Sequence, residues 1–353
     1  MNLKELTSEK VFIIADIGKN FIQEEEVLPI EVYLSRAKRL IKAVKDAGAD
    51  AVKFQTHEVE DEQANIDVTS PHFQGSDRYN WVKRNTEATP LEQFWKPLKQ
   101  YCDEIGIIFF STPMSKKAAQ KLNELGVELW KVGSGDILDF VTLDYIASTG
   151  KPIIFSSGMS TEEETEMSLN FLRKRGAEVA LLHCVSKYPC PPEELNLGTI
   201  KHFQKKYPTL IIGFSDHSVG IDSALAAVVM GARIIEKHFS FDREHWGSDH
   251  KVSLLPEELK KLVDGTRMLE KSMGVQENLL QEGESVFRPL FRKTLVASQD
   301  LREGTIITAD MLYAMRPQAH LNGLPSEKYE EVVGKRLKED LRKFDPISKE
   351  LLE

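Results

Sequence analysis

Eight short runs of β-branched, aromatic and aliphatic residues recur between residues 11 and 240, and most gaps between them hold apolar residues at helical spacing. The runs are VFIIADIG (11–18), AVKFQT (51–56), IIFFSTP (107–113), LWKVGS (129–134), PIIFSSGM (152–159), VALLHCVS (179–186), LIIGFSDH (210–217) and IIEKHFS (234–240). In the first gap Leu34, Ala37, Leu40, Ile41 and Val44 fall on one helical face, and Gly48 ends it before the next run. Strands apolar along their whole length need cover on both faces, as in a parallel sheet wrapped by helices. Eight βα units are the number that closes a (β/α)8 barrel, so the predicted fold class is α/β.

Two regions break the rhythm. Residues 57–89 are polar with isolated aromatics (Phe73, Tyr79, Trp81), longer than an ordinary βα connection, and are expected to form a lid. A polar linker, 273–288, follows the last helical pattern, and 289–353 read as a small module of short strands and one-turn helices. The 353 residues therefore divide into a barrel domain (1–272), the linker and a terminal module.

Composition narrows the function. Forty-six basic against 55 acidic residues leave a net charge of -9, which argues against nucleic acid or an anionic membrane surface as partner. An anionic substrate then requires a local cluster of Lys, Arg or metal. The opening MNLKELTSEK has no apolar signal segment, and no stretch approaches roughly 18 uninterrupted apolar residues, so a cytoplasmic location is expected. Cys102, Cys184 and Cys190 lack C-x-x-C spacing and are read, with Met159 and Met167, as packing residues.

Active sites of βα barrels collect at the C-terminal strand ends, so the polar residues closing each run form one candidate constellation. They are Asp16; Lys53 with Gln55; Thr112; Lys131 with Ser134 and Asp136; Ser156 and Ser157; Ser186 with Tyr188; Ser215, Asp216 and His217; and Lys237 with His238. His217 and His238 end neighbouring strands. Such a pair suits a two-imidazole metal site with open positions, whereas a single strand-end histidine is more often only hydrogen-bonded. Asp249 follows the eighth strand as a water-mediated ligand, a base or a merely solvated loop carboxylate. Lys53 and Lys131 either supply local positive charge for a phosphate or carboxylate or pair with Asp16 and Asp136.

KFQ (53–55), STP (111–113), WKVGSGD (130–136), SSGMS (156–160), LLHCVSKYP (182–189), GFSDHS (213–218), EKHF (236–239) and GSDHKVSLLPEEL (247–259) together resemble the N-acetylneuraminate synthase family. The terminal module resembles the antifreeze-like SAF domain, a β-clip, that ends those enzymes. The resemblance implies a transferase that condenses phosphoenolpyruvate with an N-acylated amino sugar aldehyde, with C–O rather than P–O cleavage. It implies that Lys53, Gln55, Thr112, Lys131, Ser134, Ser156, Ser186 and Ser215 hold phosphoenolpyruvate. His217 and His238 would bind a divalent ion, with Mn2+ expected and Mg2+ or Co2+ as alternatives. Asp16, Asp136, Tyr188 and Asp249 would face the sugar and the reacting water, and Arg316 would reach the acyl group across a homodimer with swapped SAF modules.

Three positions depart from the family's usual A-E-I-G-x-N-H and G-S-G-E: Asp16 and Asp136 are each one methylene shorter, and Phe21 is apolar. They point away from N-acetylmannosamine and toward a deoxy or further acylated sugar. The competing functions are a metal-dependent aldolase or isomerase on the same barrel, which would not need the anion-binding lysines and serines, and a non-catalytic paralogue that binds sugar or ice.

Overall fold

Side chains alternate along a β-strand, and in this barrel the alternation sorts the buried residues into two populations. The computed structural model describes residues 1–69, 77–274 and 277–353; Phe73 of the expected lid lies outside them. Strands β1 (Phe12–Gly18), β2 (Ala51–Thr56), β3 (Ile108–Pro113), β4 (Trp130–Val132), β5 (Ile153–Ser156), β6 (Val179–Cys184), β7 (Ile211–Asp216) and β8 (Ile234–His238) form one parallel sheet. Its order is β3-β2-β1-β8-β7-β6-β5-β4. Pairing of β1 with β8 turns the sheet into a nearly closed ring, with β3 and β4 side by side at the seam. A helix follows each strand, from Ile30–Ala47 after β1 to Pro256–Ser272 after β8, as the sequence spacing predicts.

The inward population begins apolar. Phe12, Ile14, Ala51, Phe110, Leu129, Ile154, Ala180, Leu182 and Ile234 pack together inside the ring, and Leu3 of the short helix Leu3–Thr7 joins them from below. The sequence reading assigned no structure to that opening helix. Two residues further along the same strands the inward positions become polar: Asp16, Lys53, Thr112, Lys131, Ser156 and Glu236, all buried. One end of the barrel is thus a plugged apolar floor, and the other a lined mouth.

Outward positions pack under the helices. On Ile30–Ala47 the buried face is Tyr33, Ala37, Leu40, Ile41, Val44 and Ala47, and Gly48 ends the helix at φ +88°. The helix after β5 starts with a reciprocal cap, Thr161 Oγ1 accepting from Glu164 N–H while the Glu164 carboxylate accepts from Thr161 N–H.

Gly213 sits inside the ring on β7. A Cβ built there would stand 2.5 Å from the Ile234 carbonyl oxygen and collide with Leu182. Because strand backbones cannot give way as a surface side chain can, Gly213→Ala is expected to cost about 1–3 kcal/mol, read as a lower denaturation midpoint. An unchanged midpoint would mean that the ring is loosely packed at this layer.

The chain divides into two units, Met1–Gly274 and Val275–Glu353. Residues 57–89, read as a polar lid, include the turn Val59–Glu62 and the helix Arg78–Ala88. The second unit has its own core of Leu295, Ala297, Leu301, Ile307, Val332, Leu337, Leu341 and Ile347, with β9 (Thr294–Ala297) antiparallel to β10 (Leu312–Met315). It also contains a repeat not noticed in the sequence. DLREGTIITADML (300–312) and DLRKFDPISKELL (340–352) share spacing, each ends in a one-turn helix, and Leu301 pairs with Leu341. Among the described residues no helix is long and apolar enough to cross a membrane.

Candidate active site

At the C-terminal mouth of the barrel lies a cavity of ≈ 1100 Å³, and every strand contributes to its wall or rim. Its floor is a cluster of buried charges. Lys53 Nζ donates to Asp16 Oδ2 at 2.7 Å and lies 3.8 Å from Glu236 Oε1. Lys131 Nζ stands 3.8 Å from the same Glu236 oxygen and donates to Ser156 Oγ at 2.6 Å. Ser215 Oγ donates to Glu236 Oε1 at 3.0 Å. Burial opposes charge on both lysines, yet two carboxylates, Asp16 and Glu236, hold Lys53 above the usual lysine pKa. Lys131 has one carboxylate at hand and Lys53 as a like charge, and falls below it. Of the two roles open to the lysines, Lys53 does pair with Asp16, whereas the carboxylate nearest Lys131 is Glu236 rather than Asp136.

Beside the lysines His217 and His238 face one another with ring centroids 5.4 Å apart, and Tyr188 lies 4.1 Å from the His217 ring. His217 Nδ1 lies 2.9 Å from the Val185 carbonyl oxygen. A carbonyl only accepts, so Nδ1 carries a proton, and in the neutral ring the lone pair is on Nε2. Among the described residues His238 Nδ1 is buried without a hydrogen-bond partner, 3.5 Å from Asp16 Oδ2. Among the described residues no three His, Cys, Asp or Glu groups converge on one point. What the pair offers is two imidazole nitrogens with open positions beside them, a donor set that fits a catalytic divalent ion completed by water and substrate rather than a closed structural cage.

The rim carries two carboxylates of opposite character. Burial pushes Asp136 up to about 7, reinforced by the negative charges of Glu62 and Asp139. Desolvation also opposes charge on the half-buried Asp249, but His238 and Lys19 pull it down to about 2. The Tyr188 phenol is driven well above its ordinary value by burial and neighbouring acids, so it keeps its proton. Gly158 brings two hydroxyls together: a Cβ there would meet Ser134 Oγ at 2.6 Å and collide with Ser186 Oγ.

The cavity gathers Asp16, Lys53, Gln55, Thr112, Lys131, Ser134, Asp136, Ser156, Ser186, Tyr188, Ser215, His217, His238 and Asp249. Arg316 belongs to the second unit, where its Nε donates to the Phe291 carbonyl at 2.6 Å. Three strand-end residues are not in the cavity wall. Asp216 and Lys237 are outward neighbours of Ser215 and Glu236, and form a fully buried ion pair at 3.1 Å; Ser157 Oγ donates to the Leu182 carbonyl at 3.1 Å. Applying the two-residue period would have chosen Glu236 over Lys237. Two methionines read as core are exposed, Met167 at 55% and Met159 at 71%, and Met159 lines the mouth. Cys184, also read as packing, is in the cavity wall, and His217 lowers its thiol to about 7 against the effect of burial.

Residues 40–278 match the NeuB family model and residues 292–353 the SAF domain. The chain belongs to the NeuB family. It is 34% identical to the human N-acetylneuraminate-9-phosphate synthase, over 97% of this chain and 92% of that protein. With the N,N'-diacetyllegionaminic acid synthase of Campylobacter jejuni it shares 36% identity, over 93% of this chain and 96% of the relative. A crystal structure of the N-acetylneuraminic acid synthetase of Leptospira borgpetersenii in complex with citrate superposes with a TM-score of 0.67 at 33% identity, covering 78% of this chain and 90% of that one.

In this NeuB-family barrel one of the three departures from the family pattern has a different meaning from the one expected. Phe21 is buried among Tyr33, Phe54 and Phe94, with ring centroids 4.9–6.2 Å away. It is absent from the cavity wall, so it says nothing about the sugar. The lid stretch, in which the sequence reading named Trp81, also supplies residues it did not single out: His57 and Arg78 line the mouth with Trp81 and with Lys19, whose ammonium lies 3.5 Å from the Trp81 ring centroid.

Proposed function

We propose that this NeuB-family enzyme condenses phosphoenolpyruvate with the open-chain aldehyde of an N-acylated amino sugar, giving a nine-carbon 2-keto sugar acid and inorganic phosphate. The observation that carries the reading is the convergence of Lys53, Lys131, Thr112 and Ser156 in a chain of net charge -9, immediately beside two imidazoles. Phosphoenolpyruvate brings a phosphate and a carboxylate, and such a cluster matches both. The sialic and legionaminic acid synthases among its relatives point the same way.

His217 and His238 would hold a divalent ion, Mn2+ by preference with Mg2+ or Co2+ as alternatives, whose Lewis acidity would polarise the aldehyde. Lys53 and Lys131, with Gln55, Ser134, Ser186 and Ser215, keep the phosphate and carboxylate fixed while charge moves. The enol π electrons of phosphoenolpyruvate form the new bond from C3 to the aldehyde carbon, and the aldehyde oxygen takes a proton. Water adds to the electron-poor C2, and Asp136, near neutrality in pKa, accepts its proton. The resulting hemiketal phosphate collapses to the ketone, breaking the C–O bond and expelling phosphate. Asp16 and ionised Asp249 accept from sugar hydroxyls, and the protonated Tyr188 donates.

The test uses phosphoenolpyruvate labelled with ¹⁸O at the bridging position, offered with a panel of N-acylated hexosamines. The label is expected in the released phosphate, and the product mass should equal the two substrates plus water minus phosphoric acid. An aldolase would instead make product from pyruvate, and failure to release phosphate with any sugar would overturn the proposal.

The same reading makes the enzyme a cytoplasmic homodimer in which the SAF module of one chain serves the barrel of its partner, Arg316 binding the sugar's acyl carbonyl. Its support is the family resemblance and the module's own apolar core. Mixing inactive Arg316→Ala and His217→Ala enzymes under subunit exchange should restore about a quarter of wild-type activity, since half the dimers then own one intact site. Verified heterodimers that stay inactive would exclude the swap.

A further inference from the structure

Arg84 stands on the helix Arg78–Ala88, outside the wall of the catalytic cavity, and ties together segments that carry cavity residues. Its Nη2 donates to the Glu24 and Glu26 carbonyls, each at 2.8 Å, and its guanidinium lies 4.7 Å from the Trp246 ring centroid. We propose that Arg84 is a positioning residue for the sugar half of the reaction, setting where Lys19, Trp81 and Asp249 stand without touching the sugar itself. The inference rests on the synthase reading above.

The segment after β1 needs such a tie. Among the described residues no backbone hydrogen bond joins residues 23–28 to one another. Backbone polar groups must find partners somewhere, and here they are met from outside. The Trp246 N–H donates to the Gln23 carbonyl at 3.1 Å, Tyr33 Oη accepts from the Leu28 N–H at 2.8 Å, and Arg84 reaches the two carbonyls between. Arg36 fixes the other side by gripping the Glu24 carboxylate with both terminal nitrogens. The Gln23–Trp246 bond already joins the segment after β1 to the one after β8, and Arg84 is where the lid helix meets both.

These segments deliver the groups of the sugar end. Lys19 precedes the tied stretch, with its ammonium 3.5 Å from the Trp81 ring centroid. Trp81 is about one helical turn before Arg84 on the same helix. Asp249 follows closely after Trp246, past Gly247 at φ +133°. Lys19, Trp81 and Asp249 all line the cavity. By contrast Lys53, Thr112, Lys131 and Ser156, assigned above to phosphoenolpyruvate, stand on strands β2 to β5 and are fixed by the parallel ladder. Loss of Arg84 therefore shifts one half of the site and spares the other. A guanidinium suits the task, because its fork of donors reaches two carbonyls while its flat face lies on an indole; an ammonium has no such face.

The experiment measures phosphate release from phosphoenolpyruvate in wild type, Arg84→Ala and Arg84→Lys, using the N-acylated hexosamine of the panel above that wild type uses best. Arg84→Ala is expected to raise KM for the sugar at least about tenfold and to lower kcat/KM about 10- to 100-fold, the scale of a displacement made away from the chemistry. KM for phosphoenolpyruvate should stay within about twofold of wild type. Arg84→Lys should show the same split at smaller amplitude, and it keeps the test open if Arg84→Ala does not fold. Guanidinium ion, added far below denaturing concentrations, should bring the sugar KM of Arg84→Ala back toward wild type and leave wild type unchanged. Kinetics unchanged in the folded variants overturn the inference. So does a rise in both KM values that tracks a lower denaturation midpoint, since Arg84 would then serve stability alone. Wild type that releases no phosphate with any sugar overturns the synthase reading instead.

Discussion

Stripping divalent metal with EDTA should lower phosphate release from phosphoenolpyruvate at least about 10³-fold, because Lewis-acid activation of a carbonyl is worth several kcal/mol and each 1.36 kcal/mol is a decade in rate. Added Mn2+ should restore the wild type, while His217→Ala and His238→Ala should stay inactive at any metal concentration. The expectation follows from the two rings themselves. One imidazole has its Nδ1 proton committed to a backbone carbonyl, the other is buried beside Asp16, and no third protein group completes a cage among the described residues. With so few protein ligands, removing either should abolish binding, not merely weaken it. Calorimetric titration with Mn2+ reads the same point without turnover. Full activity in rigorously metal-free enzyme would sink the proposal.

Asp136 governs the second large effect. Its carboxyl is raised from 3.8 to about 7 by burial and by Glu62 and Asp139. A base must be ionised to accept a proton, so kcat/KM should rise with pH up to about 7 and then level off. Asp136→Asn should cost about 10²- to 10⁴-fold and should erase that limb. A limb that persists in the variant would place the base elsewhere. For stability the sign is reversed. The folded state holds this proton more tightly than the unfolded chain, so the carboxyl's contribution is full below 3.8 and is lost as pH climbs through about 7. Asp136→Asn should accordingly flatten part of the fall in stability over that window, measurable by denaturation at a series of pH values.

Much of this molecule can be read from its residues because a (β/α)8 barrel writes its strands as apolar runs and its site at their ends. The helix after β1 and the gathering of Lys53, Lys131 and His238 follow from spacing alone. What failed did so for identifiable reasons. Lys237 and Asp216 look like site residues because they are polar and end strands, but a strand-end position says nothing about face, and only parity along the strand separates Lys237 from Glu236. Phe21 stands where the family carries a polar residue, yet the chain turns it into an aromatic cluster, which no local pattern reveals. Lys19 and Trp81 meet across 62 positions of sequence, a pairing that only the folded loops define. Met159 has the composition of a core residue and the exposure of a rim residue, and helical or strand periodicity has nothing to say about a residue in a turn.

The alternation along β7 and β8 also limits how this protein can change over evolutionary time. Losing or gaining one residue within either strand would exchange the two faces, turning the dry Lys237–Asp216 pair into the mouth and sending Ser215 and Glu236 under the helices. Length variation is therefore intolerable in the strands but acceptable in the segments that join them. New sugars are most readily reached by editing the connections around Lys19, Trp81 and Trp246, leaving the lysines and imidazoles on a frame whose register cannot drift.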